Sequence, residues 1–387
     1  MRSDPAIAPQ DSAAPMPRTA FITRAGRHAR LADGPTEFLY GYAELARAGQ
    51  PVFLFEEADL GIAPWGRLAE ALSARVGARI GPSPRLTLQA GRALRSHLAS
   101  FDVLVCTTHS LGLAFSAARQ LAGARPRVVV MTMGLIEPEA PRLRRRALAR
   151  ALSGATLAVL SRPEAEWLRA VMPPGLAIRD FVFGPDLGFW TPGAAPAADA
   201  DVLSVGNDRA RDFATLVAAW REEFPRLTII TSLPVTARRA NIRVLRGDWR
   251  HMLISDPEMR EHIRRARLVV VPVRETIQPS GQSFALQAMA CGRPVVLSAN
   301  RGLWDAAQLR RHEACRLVPP GDPAALAEAV AALLARPAEA EAMGARARRM
   351  LEVEHVSSEA MARQVRSIAA AVEPGSSSAA AHQSSEA

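Results

Sequence analysis

Short apolar runs alternate with helical stretches twice along this chain, and that pattern limits the fold more than any other feature. Residues 19–23, 51–55, 102–106, 127–131 and 157–160 are apolar over most of their length and lack the in–out alternation of a half-exposed strand. Such runs read as strands buried on both faces, as in a parallel sheet, and each is followed by a stretch of helical period. Residues 201–205, 227–231, 242–245, 268–271, 294–297 and 315–318 form a second set. Between the sets, residues 189–201 turn to Pro, Gly and Ala, the composition of a linker. The chain has 387 residues, more than a single core usually holds. The expectation is an α/β protein of two Rossmann-like doubly wound domains facing a central crevice, with ligand bound across it. The boundaries expected are 18–192 for the first domain, 193–200 for the linker and 201–350 for the second. A C-terminal helix at 351–373 is expected to return to the first domain, with disordered segments at 1–17 and 374–387.

Residues 278–296 are the most informative local stretch. Gln278, Pro279, Ser280, Gly281, Gln282 and Ser283 form a polar loop that opens onto a helix. A helix start offers unpaired N–H groups and the positive end of its dipole, which together favour a phosphate or diphosphate. Ala285, Ala288, Met289 and Ala290 give the helix a small, packed face. Gly292 stands where a left-handed residue ends it, and Arg293-Pro294 leads into the strand that follows.

The same stretch resembles the C-terminal signature of GT-B glycosyltransferases, in particular the large retaining class called family 4. The likeness is carried by residues 286–296, Leu-Gln-Ala-Met-Ala-Cys-Gly-Arg-Pro-Val-Val. Residues 180–192 resemble the segment that closes the N-terminal domain of these enzymes, and residues 34–45 their first loop and helix. The class has two Glu residues separated by seven others. Here Gln287 stands at the second and Pro279 at the first, with Glu275 nearby at another spacing.

The resemblance implies transfer of a sugar from a nucleotide diphosphate-sugar, with retention, to a glycan, lipid-linked or small-molecule acceptor. The nucleotide-sugar would be a substrate, so no cofactor is expected, and no metal. Arg211 takes the place of a diphosphate-binding Lys and Asn207 that of an Arg, with Arg209 beside them. Arg209, Arg211, Ser280, Gly281, Gln282 and Ser283 are therefore expected on the diphosphate, and Asn207, Gln278 and Gln287 on the nucleoside or sugar. His109 and Arg211 are the expected catalytic residues. His109 follows a strand end, where a neutral imidazole could hydrogen-bond a sugar hydroxyl or move a proton. Glu37, near the first helix, is expected to orient the acceptor. Two alternatives remain open: a catalytically silent sugar-nucleotide-binding partner, and a sugar-nucleotide 2-epimerase of the same architecture.

Composition narrows the chemistry further. All 48 basic residues are Arg, so a Walker phosphate loop, a pyridoxal Schiff base and a kinase-type catalytic lysine are excluded. Phosphate must be met by Arg, hydroxyls and helix termini, and the planar Arg fork suits a diphosphate. The net charge is +10, but aromatic residues make up only 5% and no zinc-finger or RNP-like pattern is present, so no nucleic acid is expected. Arg142, Arg144, Arg145 and Arg146 share a helical stretch with Leu143 and Leu148, a pattern that can touch an anionic membrane. Cys106, Cys291 and Cys315 show neither disulfide nor zinc spacing. No apolar run approaches the roughly 20 residues that span a bilayer, and the first residues lack the apolar centre of a secretion signal. A cytoplasmic protein is expected, at most at the inner face of the membrane.

Overall fold

The computed structural model describes residues 16–63, 66–197, 199–246 and 254–371. Six strands form the first sheet: β1 (Thr19–Thr23), β2 (Val52–Glu56), β3 (Val103–Cys106), β4 (Arg127–Thr132), β5 (Ala155–Val159) and β6 (Ala177–Asp180). They lie in the order β2-β1-β3-β4-β5-β6. Six more form the second: β7 (Val202–Val205), β8 (Leu227–Thr231), β9 (Ile242–Arg246), β10 (Leu268–Val271), β11 (Val295–Ser298) and β12 (Arg316–Val318). Their order is β12-β11-β10-β7-β8-β9, the arrangement of a dinucleotide-binding sheet read from its other edge. All the strand pairings are parallel. Central strands such as β3 and β10 are buried at every residue, which is why their sequences run apolar without alternation.

Chain direction across each sheet reverses at one place, between β1 and β3 in the first and between β7 and β10 in the second. Ligands of open α/β sheets bind at such points, beyond the carboxyl ends of the strands. β6 was not expected from the sequence. It is an edge strand with two of its four residues charged and three of them exposed, so it carries no apolar signal.

One hydrophobic core runs through both domains. It joins Phe21, Val105 and Val129 of the first sheet to Trp190 of the connecting segment, Val271 and Met289 of the second domain, and Met361 and Val365 near the C-terminus. The expected helix at 351–373 is divided. One helix ends at Val353, His355 takes a left-handed φ of 53°, and Ser357 caps a new helix, Ser358–Ala370. This last helix lies on the first domain. Gln364 exchanges hydrogen bonds with the backbone of Val182 at 2.8 and 3.0 Å, and Arg127 reaches the carbonyl of Ala369. Gly41 lies so close to it that a Cβ there would fall 2.5 Å from the backbone of Ala362.

Three arginines of the second domain hold the connecting segment by its carbonyl oxygens. Arg260 donates to Phe189 at 3.1 Å and Arg264 to Thr191 at 2.8 Å. Arg348 donates to Leu187 at 3.3 Å, and to Trp190 and Ala290 at 2.9 Å each. The expected disordered ends lie largely outside the described residues. Met16 departs from that expectation, since it is buried in the shared core and its N–H meets Gln50. Among the described residues no helix is long and apolar enough to cross a membrane.

Candidate functional site

At the switch point of the second sheet, the turn after β7 meets the segment after β10. Arg211 forms an isolated antiparallel bridge with Val273, and bonds from Arg274 N–H to Ala210 O (2.8 Å) and from Asp212 N–H to Pro272 O (3.1 Å) fix the crossing. The side chain of Arg211 is thereby carried inward. Only 5% of the residue is exposed, and burial lowers its pKa against the opposing charge of Asp208. Its guanidinium lies on the backbone of Gly206, where a Cβ would fall 2.1 Å from Nε, and next to Gly281, where a Cβ would fall 3.1 Å from one terminal nitrogen. That nitrogen, Nη1, is buried without a hydrogen-bond partner. A buried donor left in this way costs about 1–3 kcal/mol, so Nη1 is open to an acceptor from outside the chain.

Gly281 takes a left-handed φ of 79° and opens the helix Gln282–Ala290 with no side chain capping it. A helix start leaves first-turn N–H groups without intrahelical carbonyl partners, and Arg211 Nη1 lies beside this one. Ser280 and Ser283 are half-buried at this opening, and the Ser280 hydroxyl donates to Asp208. The N–H groups of Ser280 and Gln282 turn back to the carbonyls of Gln278 (2.7 Å) and Pro279 (3.4 Å). Arg209 is exposed at the rim of the turn.

Three residues expected at the ligand also make contacts within the protein. Asn207 Oδ1 accepts from Ser232 N–H at 2.6 Å and from the hydroxyls of Ser232 and Thr231, which ties the turn to the end of β8. Gln282 points its amide at Leu160 O across the domain boundary, 3.4 Å away. Gln278 lies against Gly134 of the first domain, where a Cβ would fall 2.7 Å from its side chain.

Glu37 and Gln287 depart furthest from the places their sequence positions suggest. Gln287 Nε2 donates to Glu37 Oε1 at 2.9 Å, and Trp190 Nε1 donates to the same oxygen at 2.8 Å. Asp186 N–H reaches the other oxygen at 3.2 Å. Glu37 is wholly buried, and burial pushes its pKa up to about 7 against these hydrogen bonds. Both side chains are buried, with Gln287 bonded to Glu37 and Glu37 also to Trp190, where the sequence expected a ribose contact and an acceptor contact. Together they join the two domains beneath the site. A second cross-domain link pairs buried Arg30 with Asp256 at 3.0 Å.

On the first-domain side, His109 is the first residue of the helix His109–Ala122, which Thr108 caps. Burial lowers its pKa, the positive charge of Arg24 acts in the same direction, and a hydrogen bond to the backbone of Met133 opposes both. The imidazole is therefore neutral near pH 7 and stands at the carboxyl end of β3. Arg24 lies beside this helix start, bonded to Ser110 Oγ at 2.7 Å and to Glu57 at 3.0 Å. Glu164, which the sequence did not single out, holds the loop facing Gln278. Its Oε1 accepts from the N–H groups of Gly134 (2.7 Å) and Leu135 (3.2 Å), and burial pushes its pKa up to about 7. Only its place after the Ser161 cap hinted at a first-turn acid. Among the described residues, no group of three or more His, Cys, Asp or Glu side chains is placed to hold a metal.

Comparison with known proteins agrees with this architecture. Residues 203–336 match the family model described as glycosyl transferases group 1. No curated protein sequence matches the chain. Among solved structures, sucrose-phosphate synthase from Thermosynechococcus elongatus superposes with a TM-score of 0.65 at 20% identity, over 90% of this chain and 97% of its own. HepE from Anabaena, in complex with UDP-glucose, gives 0.63 at 14% identity, over 92% and 99%. A trehalose-6-phosphate protein from E. coli, bound with UDP-2-fluoro glucose, gives 0.61 at 14% identity, over 92% and 100%. With the frame of those structures reproduced across both domains, the chain has the GT-B fold, and its residues 203–336 are similar to the group 1 glycosyl transferases.

Proposed function

We propose that the protein moves a sugar from a nucleoside diphosphate-sugar to a hydroxyl acceptor, with UDP-sugars as the first donors to test. The observation that carries this reading is the unpartnered, buried Nη1 of Arg211 beside the start of the helix Gln282–Ala290. Charge develops on the diphosphate as it leaves the sugar, and a fixed cation with free helix N–H groups stabilises that charge without reorganising. Two of the similar structures hold UDP-glucose or UDP-2-fluoro glucose, which supports UDP as the nucleotide. Arg209 at the rim supplies a second positive charge.

In this reading the transfer is retaining and metal-independent. The acceptor proton passes to the departing phosphate, and neutral His109 hydrogen-bonds the transferred sugar or the acceptor. The acceptor is a glycan, a lipid-linked sugar or a small molecule, reached from the loops beyond β1, β3 and β4. Contact with an anionic membrane belongs to the same reading. Leu143 is 78% exposed on the helix Arg142–Ala151 among Arg142, Arg144, Arg145 and Arg146. Arg144 is held by Glu137 at 3.1 Å, and Arg145 by the carbonyls of Ala140 and Pro138, which leaves Arg142 and Arg146 as the better candidates for headgroup contact.

Titration calorimetry with UDP, GDP and dTDP tests the donor site. One nucleotide should bind selectively to the native protein, and Arg211→Met should weaken it at least about a hundredfold while unfolding cooperatively like the native protein. Native-like affinity in Arg211→Met removes Arg211 from the site. Binding of none of the three removes the donor-site reading. Transfer that stops in EDTA and returns with a divalent cation would overturn metal independence.

A further inference from the structure

The anion site already contains an anion of its own. Asp208, in the turn after β7, places its carboxylate among the groups assigned to the donor diphosphate. Its Oδ2 accepts from Arg211 Nε at 2.8 Å, and its Oδ1 accepts from Ala210 N–H at 3.2 Å and from the Ser280 hydroxyl. It therefore bridges the β7 turn and the loop that opens the helix Gln282–Ala290. Its side chain is 43% exposed, while that of Arg211 is only 4% exposed. The anchored partner is thus the cation, and the carboxylate can turn outward into solvent.

We propose that Asp208 is a resident counter-ion of the donor site. It holds Arg211 and Ser280 while the site is empty and is displaced by the incoming diphosphate, so that it sets how tightly the site takes a nucleoside diphosphate. This inference rests on the donor-site reading above. A buried guanidinium without a counter-charge is strongly disfavoured, so the empty site needs an anion. A carboxylate satisfies Nε and leaves Nη1 unpartnered. A diphosphate has more oxygens and more charge, and can meet Nε, Nη1, the Ser280 hydroxyl and the helix N–H groups together. It cannot do so with Asp208 still in place, because the two anions would share the same donors at contact distance. A monophosphate gains less from the exchange, so it is the weaker competitor for the donors that Asp208 holds.

The experiment is titration calorimetry of UDP, UMP and inorganic pyrophosphate into the native protein, Asp208→Asn and Arg211→Met, repeated over a series of salt concentrations. Asp208→Asn keeps the shape and removes the charge. It should bind UDP about tenfold tighter, bind UMP tighter by a similar factor, and show a steeper loss of affinity with salt, since no internal anion is then exchanged for the ligand. A merely structural Asp208 would give the opposite sign. If UDP binds the native protein and Asp208→Asn binds it equally or more weakly, the counter-ion proposal fails while the donor site stands. Failure of both native protein and Asp208→Asn to bind overturns both. Binding by Asp208→Asn alone supports the proposal, with the carboxylate out-competing ligand in the native chain. Arg211→Met should lose UDP affinity in either background, and full affinity there overturns the exchange at Arg211.

Discussion

Glu37 holds a proton near neutrality because its carboxylate is fully buried between the domains, with a pKa of about 7 against 4.5 for an exposed glutamate. A carboxyl whose folded pKa is raised adds stability in full below its unfolded value, and this is lost as pH rises through the folded value. The relevant window is about pH 4.5 to 7, and each tenfold change in proton affinity on folding corresponds to about 1.4 kcal/mol. Urea unfolding at the two ends of that window should therefore show a smaller gain on acidification in Glu37→Gln than in the native protein. An unchanged difference would mean that Glu37 is not the group linked to stability. Gln287 is the neutral partner this arrangement requires. Gln287→Glu would set two carboxyl groups against one another where the amide now donates at 2.9 Å. The expected loss is about 2–4 kcal/mol at pH 8 and less at pH 5, read from the urea midpoint. This pair was not legible in the sequence because its members are 250 residues apart. The strand–turn–helix around Arg211 and the loop-to-helix opening at Ser280–Ser283 were legible because both are set by local sequence.

Two glycines decide whether the elements of the proposed donor site can assemble. Gly281 combines a φ of 79° with a Cβ position 2.6 Å from Val271 Cγ1, so Gly281→Ala meets both backbone strain and overlap. Gly206 needs space alone, because the Arg211 guanidinium lies where its side chain would begin. Gly206→Ala should therefore displace that guanidinium. We expect UDP affinity to fall at least about tenfold in Gly206→Ala, with a stability loss of only about 1–2 kcal/mol. Retention of native affinity would show that the guanidinium does not need its seat on Gly206. At this scale the sequence was most readable where strands are central. β3 and β10 carry unbroken apolar runs because both faces are covered, whereas β6, with Arg179 and Asp180 at an exposed edge, carries none. The break at His355 was equally hidden, since no glycine or proline marks the left-handed turn between the last two helices.

Taken whole, the molecule is two domains fastened by arginine donors, a shared core and a returning helix. Arg348 reaches carbonyls of Leu187, Trp190 and Ala290 at once, so Arg348→Met would leave up to three acceptors without their charged donor. A loss of about 2–4 kcal/mol in the urea midpoint is expected, and a change below about 0.5 kcal/mol would show that water replaces the guanidinium there. The two-domain plan was visible in the sequence from the repeated strand sets and the linker between them. The shared core was not, because the residues that build it come from both halves and from the end of the chain. The returning helix also shapes events on the ribosome. β6, the last strand of the first sheet, ends at Asp180, yet the helix Ser358–Ala370 that covers part of the same domain comes nearly two hundred residues later. At a translation rate of about 5–20 residues per second, the nascent first domain waits roughly 10–40 s with an apolar face open. During that interval it is a natural client for a holding chaperone, and a ribosome stalled before Ser358 leaves a product that has both sheets but lacks the cover over the first.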